Sequence, residues 1–248
     1  MSVSSLRRAR AVARGLTLLA VVIFAAVAPL LPPIAWKVKA TLLAALLLAA
    51  GFYLRTQREG SVGRSALDRP ALALLAAAAL ATAFSVEPVV SFFPSRFRGE
   101  GLIVFIPYVI CALAAARLTT REAQRAIGAM LAASVLIAVI AVAQYYGVDP
   151  LRALGFKSVP PIAITGTDPV ELRLDAVWTG SRGHGTLANP IFLGAYAALL
   201  LPLAAALAMQ AAGRAAGVHG LVAIVLYAAL IVSQTRSAWG GTAVAALA

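Results

Sequence analysis

Ser181-Arg-Gly-His-Gly-Thr-Leu-Ala-Asn-Pro190 is polar and rich in small residues. It runs straight into Ile191-Phe-Leu-Gly-Ala-Tyr-Ala-Ala-Leu-Leu-Leu-Pro-Leu-Ala-Ala-Ala-Leu-Ala-Met-Gln210, which carries no charge. A helix of about 20 apolar residues crosses the hydrocarbon core of a bilayer. The junction therefore predicts a loop at a membrane surface feeding a transmembrane helix, with Asn189 as the helix cap and Pro190 in the first turn. Asn189 accepts from exposed first-turn amides, and proline loses nothing where the helix ladder has not begun.

The same pattern recurs outward from this junction. The composition is 62% hydrophobic and 12% charged over 248 residues, and the mean hydropathy is +0.91. A soluble domain rarely exceeds half apolar. Further spans are expected near 15–31, 38–54, 70–86, 101–118, 126–146 and 218–233, with 191–210 as the sixth in order. An eighth begins near Ser237 and reaches only Ala248, so the chain is expected to continue beyond it. The expected fold is all-α: a polytopic transmembrane helical bundle of seven complete spans plus the start of an eighth. It forms a single domain over 1–248, with an external loop at 147–190.

Charge sets the expected orientation. With the N-terminus in the cytoplasm, the inner segments hold 12 Lys and Arg and the outer segments 9. Basic residues concentrate on the cytoplasmic side of a membrane protein. The dense clusters Arg7, Arg8, Arg10, Arg14 and Arg55, Arg58, Arg64, Arg69 both fall inside. The net charge of +12 reads as this topology signal. No basic helix with interleaved aromatics is present, so no nucleic-acid partner is expected. The single cysteine, Cys111, permits no disulfide within the chain. The arginine-rich N-terminus is read as an uncleaved first helix because no small-residue cleavage site follows it.

This orientation places three arginine stretches on the outer side: Ser95-Arg-Phe-Arg-Gly-Glu-Gly101, the Ser181–Pro190 loop, and Ser233-Gln-Thr-Arg-Ser-Ala-Trp-Gly-Gly241. Guanidinium offers a fixed fork of donors and keeps its charge, which suits phosphate or pyrophosphate. Glycine lets backbone amides approach an anion. Arg182, Arg236, Arg98 and Arg96 are therefore the candidates for pyrophosphate contact. His184 is a candidate base, set behind the alternative of a loop histidine facing water. No metal-ligand spacing appears and no cofactor is expected. Glu87, Glu100 and Asp175 are outer carboxylates that no pattern singles out.

These residues resemble a known family. Ser85-Val-Glu-Pro-Val-Val-Ser-Phe-Phe-Pro-Ser-Arg-Phe-Arg-Gly-Glu-Gly-Leu102, Arg182-Gly-His-Gly-Thr-Leu-Ala-Asn-Pro-Ile-Phe-Leu-Gly194 and Ser233-Gln-Thr-Arg-Ser-Ala-Trp-Gly-Gly241 are similar, in order and spacing, to motifs of the O-antigen ligase and polymerase family. Two positions depart from that pattern: Ile191 stands where a second asparagine is common, and Ser237 where glycine is common. The resemblance covers about 85–241. It implies a glycosyltransferase of the bacterial inner membrane that moves a glycan from undecaprenyl pyrophosphate to an acceptor on the outer face. The acceptor would be lipid A-core, with polymerase or protein O-oligosaccharyltransferase activity as alternatives. It also implies a histidine base beyond Ala248, so that residues 1–248 are expected to be inactive alone. A reading of another class remains: a transporter or flippase for an anionic lipid or solute. That reading predicts charged residues within spans, and these spans carry almost none.

Overall fold

The computed structural model describes residues 3–31, 34–59, 65–93, 101–155, 182–187 and 189–247. Among these the secondary structure is helical, with no strand. The helices are α1 (Val3–Val22), α2 (Ile34–Glu59), α3 (Asp68–Ala83), α4 (Pro88–Phe92), α5 (Leu102–Ala115), α6 (Thr120–Tyr145), α7 (Pro150–Ala153), α8 (Pro190–Gln210), α9 (Arg214–Ser233) and α10 (Arg236–Leu247). After α1 the chain passes through a π-helical stretch, Ile23–Val27, into a last turn at Ala28–Leu30. Pro29 has no N–H for the ladder there.

Among the described residues, four helical segments are long and apolar enough to cross a membrane: Ala11–Leu30, Thr120–Tyr145, Pro190–Gln210 and Arg214–Ser233. They make this a membrane protein by composition and length. Helix α2 contains the expected second span and extends past it at both ends. Helices α3 and α5 differ from expectation. They have 16 and 14 residues, roughly 24 and 21 Å at 1.5 Å per residue, against a hydrocarbon core of about 30 Å. Each stops at a side-chain contact. After α3, Ser85 and Ser91 share a hydrogen bond of 2.7 Å, Glu87 N donates to Ser85 Oγ, and Pro88 opens α4. At the end of α5, Arg117 turns back on the helix, donating to Leu113 O, and pairs with Asp68 at 2.6 Å. Helix α9 starts at Arg214, earlier than expected, so His219 lies in its second turn.

The chain packs as two compact units: Met1–Ala28 with Pro33–Met130, and Pro29–Pro32 with Leu131–Ala248. In the first, Ala20 of α1, Ala44 and Leu48 of α2 and Cys111 of α5 form a buried cluster flanked by Phe24 and Leu47. Alanines at the contact let the helices approach closely, and Gly51 sits against the Ala13 carbonyl and Thr17 Oγ1. Pro107 lies buried inside α5, a position that helix neighbours in a membrane tolerate.

In the second unit, Ile137, Ala138 and Ala141 of α6 meet Leu193 and Ala197 of α8, Ala229, Leu230 and Val232 of α9, and Ala238 of α10. Small residues dominate this contact, as in membrane helix pairs held by backbone proximity. Gly194 of α8 shows how tight it is. A Cβ there would stand 2.6 Å from Thr235 Cβ and 3.0 Å from Ser233 Oγ. The outward faces are apolar too: Leu199, Leu221 and Ile224 are 73%, 62% and 66% exposed. A helix that is hydrophobic all round belongs in lipid or in a large core.

Candidate functional site

The second unit gathers four chain segments at one end: the close of α6, loop residues 182–187, the start of α8, and the corner between α9 and α10. The corner is set by Ser233 to Arg236. Gln234 adopts a left-handed conformation (φ 51°, ψ 33°), ending α9, and Arg236 begins α10. The last four carbonyls of a helix have no partner within it, and in an apolar surrounding each must find one.

Here all four do. Leu230 O accepts from Ser233 Oγ at 2.8 Å and from Trp239 Nε1 at 3.0 Å. Ile231 O accepts from Gln234 N, and Val232 O from Gly183 N, both at 3.0 Å. Ser233 O accepts from Arg182 Nε at 3.2 Å, and a terminal nitrogen of the same guanidinium donates to Gln234 O at 2.8 Å. Arg182 thus caps α9, and its charge faces the negative end of that helix dipole.

The loop is held from the other side by Gln144, near the C-terminus of α6. Its Oε1 accepts from Gly185 N at 2.8 Å and from His184 N at 3.2 Å. Its Nε2 donates to Gly185 O at 3.3 Å and to Asp149 Oδ1 at 3.2 Å. Gly183 and Gly185 press against the α6 backbone one turn apart. A Cβ on Gly183 would collide with the Ala141 carbonyl, and one on Gly185 would stand 2.9 Å from Ile137 O, with φ +59° besides. Thr186 Oγ1 donates to Pro29 O at 2.6 Å.

These contacts correct one expectation. The amides of Gly183, His184 and Gly185 are committed to protein acceptors, so the glycines serve close packing of the loop on α6 and do not form an open anion nest. His184 also departs from the picture of a side chain facing water. It is half-buried, with Nδ1 2.9 Å from Gly185 O. A carbonyl only accepts, so Nδ1 carries the proton and Nε2 keeps the lone pair. Burial lowers the imidazole pKa, against smaller upward pulls from the Gly185 carbonyl and the Asp149 charge.

Asn189 caps α8: its Oδ1 accepts from Ile191 N at 2.8 Å, with Pro190 in the first turn. Thr235, buried, donates to Pro190 O at 3.1 Å and so joins the start of α8 to the α9–α10 corner. Arg236 is exposed at the first position of α10. The structure thus brings Arg182, His184, Asn189 and Arg236 to one end of this unit. Arg96 and Arg98 lie outside the described residues, as does most of loop 147–190. Among the described residues no group of three or more His, Cys, Asp or Glu side chains gathers to hold a metal ion.

In the sequence Gln144, Gln234 and Thr235 stand as polar residues that line a site or bond between helices; Gln144 and Thr235 are found bonding between chain segments.

No protein-family model matches the chain, and no curated protein or solved structure matches it.

Proposed function

We propose that this chain is an O-antigen ligase-like membrane glycosyltransferase, moving a glycan from undecaprenyl pyrophosphate to lipid A-core or a similar acceptor on the outer face of the bacterial inner membrane. The observation that carries this reading is the meeting of two arginine stretches, 181–190 and 233–241, through the Arg182 hydrogen bonds to Ser233 O and Gln234 O. Residues 51 and 52 positions apart in sequence are thereby joined at one corner, at which Arg236 begins α10.

In the reaction the acceptor hydroxyl attacks the anomeric carbon, a base takes the hydroxyl proton, and the bond to the pyrophosphate oxygen breaks. Charge grows on that leaving group. A fixed guanidinium nearby stabilises it without reorganising, and such electrostatic contributions are often the largest single term. Arg236, exposed at the corner, takes the role of pyrophosphate contact. Arg182 acts as a positioning residue that holds the corner on the loop. Arg98 and Arg96 are assigned to the same anion by the family resemblance alone. Of the two histidines in the sequence, His184 is at this end and His219 lies in the opening turns of α9, at its other end.

Topology supports a shared outer side. Helix α9 ends, α8 begins and α6 ends together, as three successive crossings require. The outer assignment takes α2 as a further crossing; with it, the side is the same whether α3 and α5 cross fully or return as a short hairpin, because either leaves the parity unchanged. The test is Arg236→Ala in the full-length protein, scoring acceptor-linked glycan and accumulated lipid-linked donor. Loss of the former with a rise in the latter supports the transferase. Unchanged glycan removes it, and movement of an anionic lipid or solute across vesicles by the wild type favours the transporter reading.

A further inference from the structure

The first unit holds a separate open cavity of about 80 Å³, lined by Ala13, Arg14, Thr17, Arg117, Leu118, Thr119 and Glu122. Its charges are not equally committed. Arg117 pairs with Asp68 at 2.6 Å and donates to Leu113 O. Thr17 Oγ1 donates to Ala13 O. Glu122 closes a capping box with Thr119: Glu122 Oε2 accepts from Thr119 N and from Thr119 Oγ1, both at 2.8 Å, and Glu122 N donates back to Thr119 Oγ1 at 3.4 Å. Among the described residues only Oε2 is used, which leaves Oε1 open. Arg14 is exposed and, among the described residues, makes no ion pair. It is nonetheless close enough for its charge to act on Glu122, as Arg125 does from the next turn of α6.

The cavity thus offers one uncommitted cation and one half-committed carboxylate that face a common space without closing on each other. Its position narrows the ligand. Arg14 lies in the first turn of the span-length segment Ala11–Leu30, and Glu122 in the first turn of Thr120–Tyr145. The ends of spans lie at the depth of lipid headgroups. A ligand for this space carries a phosphate and, a short reach away, an ammonium with N–H groups to give.

We propose that this cavity binds the headgroup of an ethanolamine phospholipid, with its phosphate on Arg14 and its ammonium on Glu122. Choline lipids lack the N–H donors for the carboxylate, and glycerol lipids lack the positive charge. The site rests on the membrane placement of α1 and α6 and is independent of the transferase reading.

The experiment is native mass spectrometry of the full chain in a neutral detergent, with equimolar dioleoyl phosphatidylethanolamine, phosphatidylcholine and phosphatidylglycerol. Wild type is expected to retain the ethanolamine lipid about two- to fivefold over either competitor, the scale of a partly exposed charge pair. Glu122→Gln keeps the capping box, because glutamine serves there, and is expected to abolish the preference over phosphatidylglycerol. Arg14→Gln is expected to weaken retention of all three lipids. Equal retention by wild type, or a preference that survives both substitutions, overturns the site. Binding of soluble O-phosphoethanolamine with no preference among lipids overturns the lipid as its source.

Discussion

Gln144 grips Gly185 by both of its main-chain groups: the side-chain oxygen accepts from Gly185 N at 2.8 Å, and the side-chain nitrogen donates to Gly185 O at 3.3 Å. One amide side chain therefore stands in for a paired backbone and fixes the loop on the end of α6. Replacing Gln144 with Leu strands the Gly185 and His184 amides. Leaving a buried donor unsatisfied costs about 1–3 kcal/mol, and the expected loss in this variant is at the upper end of that range. Thermal unfolding of the purified protein in detergent reads it. A midpoint equal to wild type would show that the loop is held by other means.

The glycines separate by what lies behind them. Gly183→Ala drives a methyl into the Ala141 carbonyl, and Gly194→Ala drives one into Thr235. Overpacking of this kind costs about 1–3 kcal/mol. Gly217, within α9, faces open space: a methyl added there would meet no atom within 4 Å. Gly217→Ala is expected to be neutral or to stabilise by roughly 0.5–1 kcal/mol, from helix propensity. The three variants compared in one denaturation series check the ordering.

His184 gives the loop a pH dependence whose sign follows from burial. Its pKa is lowered in the folded chain, so the unfolded chain binds more protons in the window just below the ordinary histidine value. Stability then rises with pH across that window. It is present in full above the unfolded pKa of about 6.5 and is lost as pH falls toward the lowered folded value. Unfolding measured between pH 7.5 and 5 should show this slope, and His184→Gln should flatten it. A slope unchanged in the variant would assign the effect to other groups.

Much of this arrangement was legible in the residues. The Asn189-Pro190 cap could be read because a polar acceptor before proline and an apolar run has one local use. The long apolar helices could be read because their length and lack of charge leave few alternatives. The extents of α3 and α5 could not. Helix α3 ends at a turn closed by Ser85 with Ser91, and α5 ends where packing brings Arg117 to Asp68, 49 residues away. The glycines of 183–185 suggested an anion nest because nothing local distinguishes an amide facing a ligand from one facing Gln144. Arg182 suggested a ligand contact for the same reason. Its acceptors are carbonyls at the end of a helix that starts 32 residues later in the sequence, at Arg214.

Arg182 itself separates capping from ligand binding. Arg182→Lys keeps the charge at the end of α9 but loses the fork that reaches two carbonyls. It should cost about 1 kcal/mol, one net hydrogen bond, and Arg182→Ala more. The unfolding midpoints of the two variants should fall in that order, and equal midpoints for wild type and Arg182→Ala would remove the brace.

The central claim is that Arg236 serves the reaction while Arg182 serves the site that presents it. The most direct measurement pairs unfolding with acceptor-linked glycan for Arg236→Ala in the full-length protein. Arg236 is exposed at the start of α10, so the account predicts an unchanged unfolding midpoint and a loss of transfer of roughly a hundredfold, the scale of removing one fixed donor to a developing anion. Wild-type transfer in this variant, at an unchanged midpoint, would contradict it.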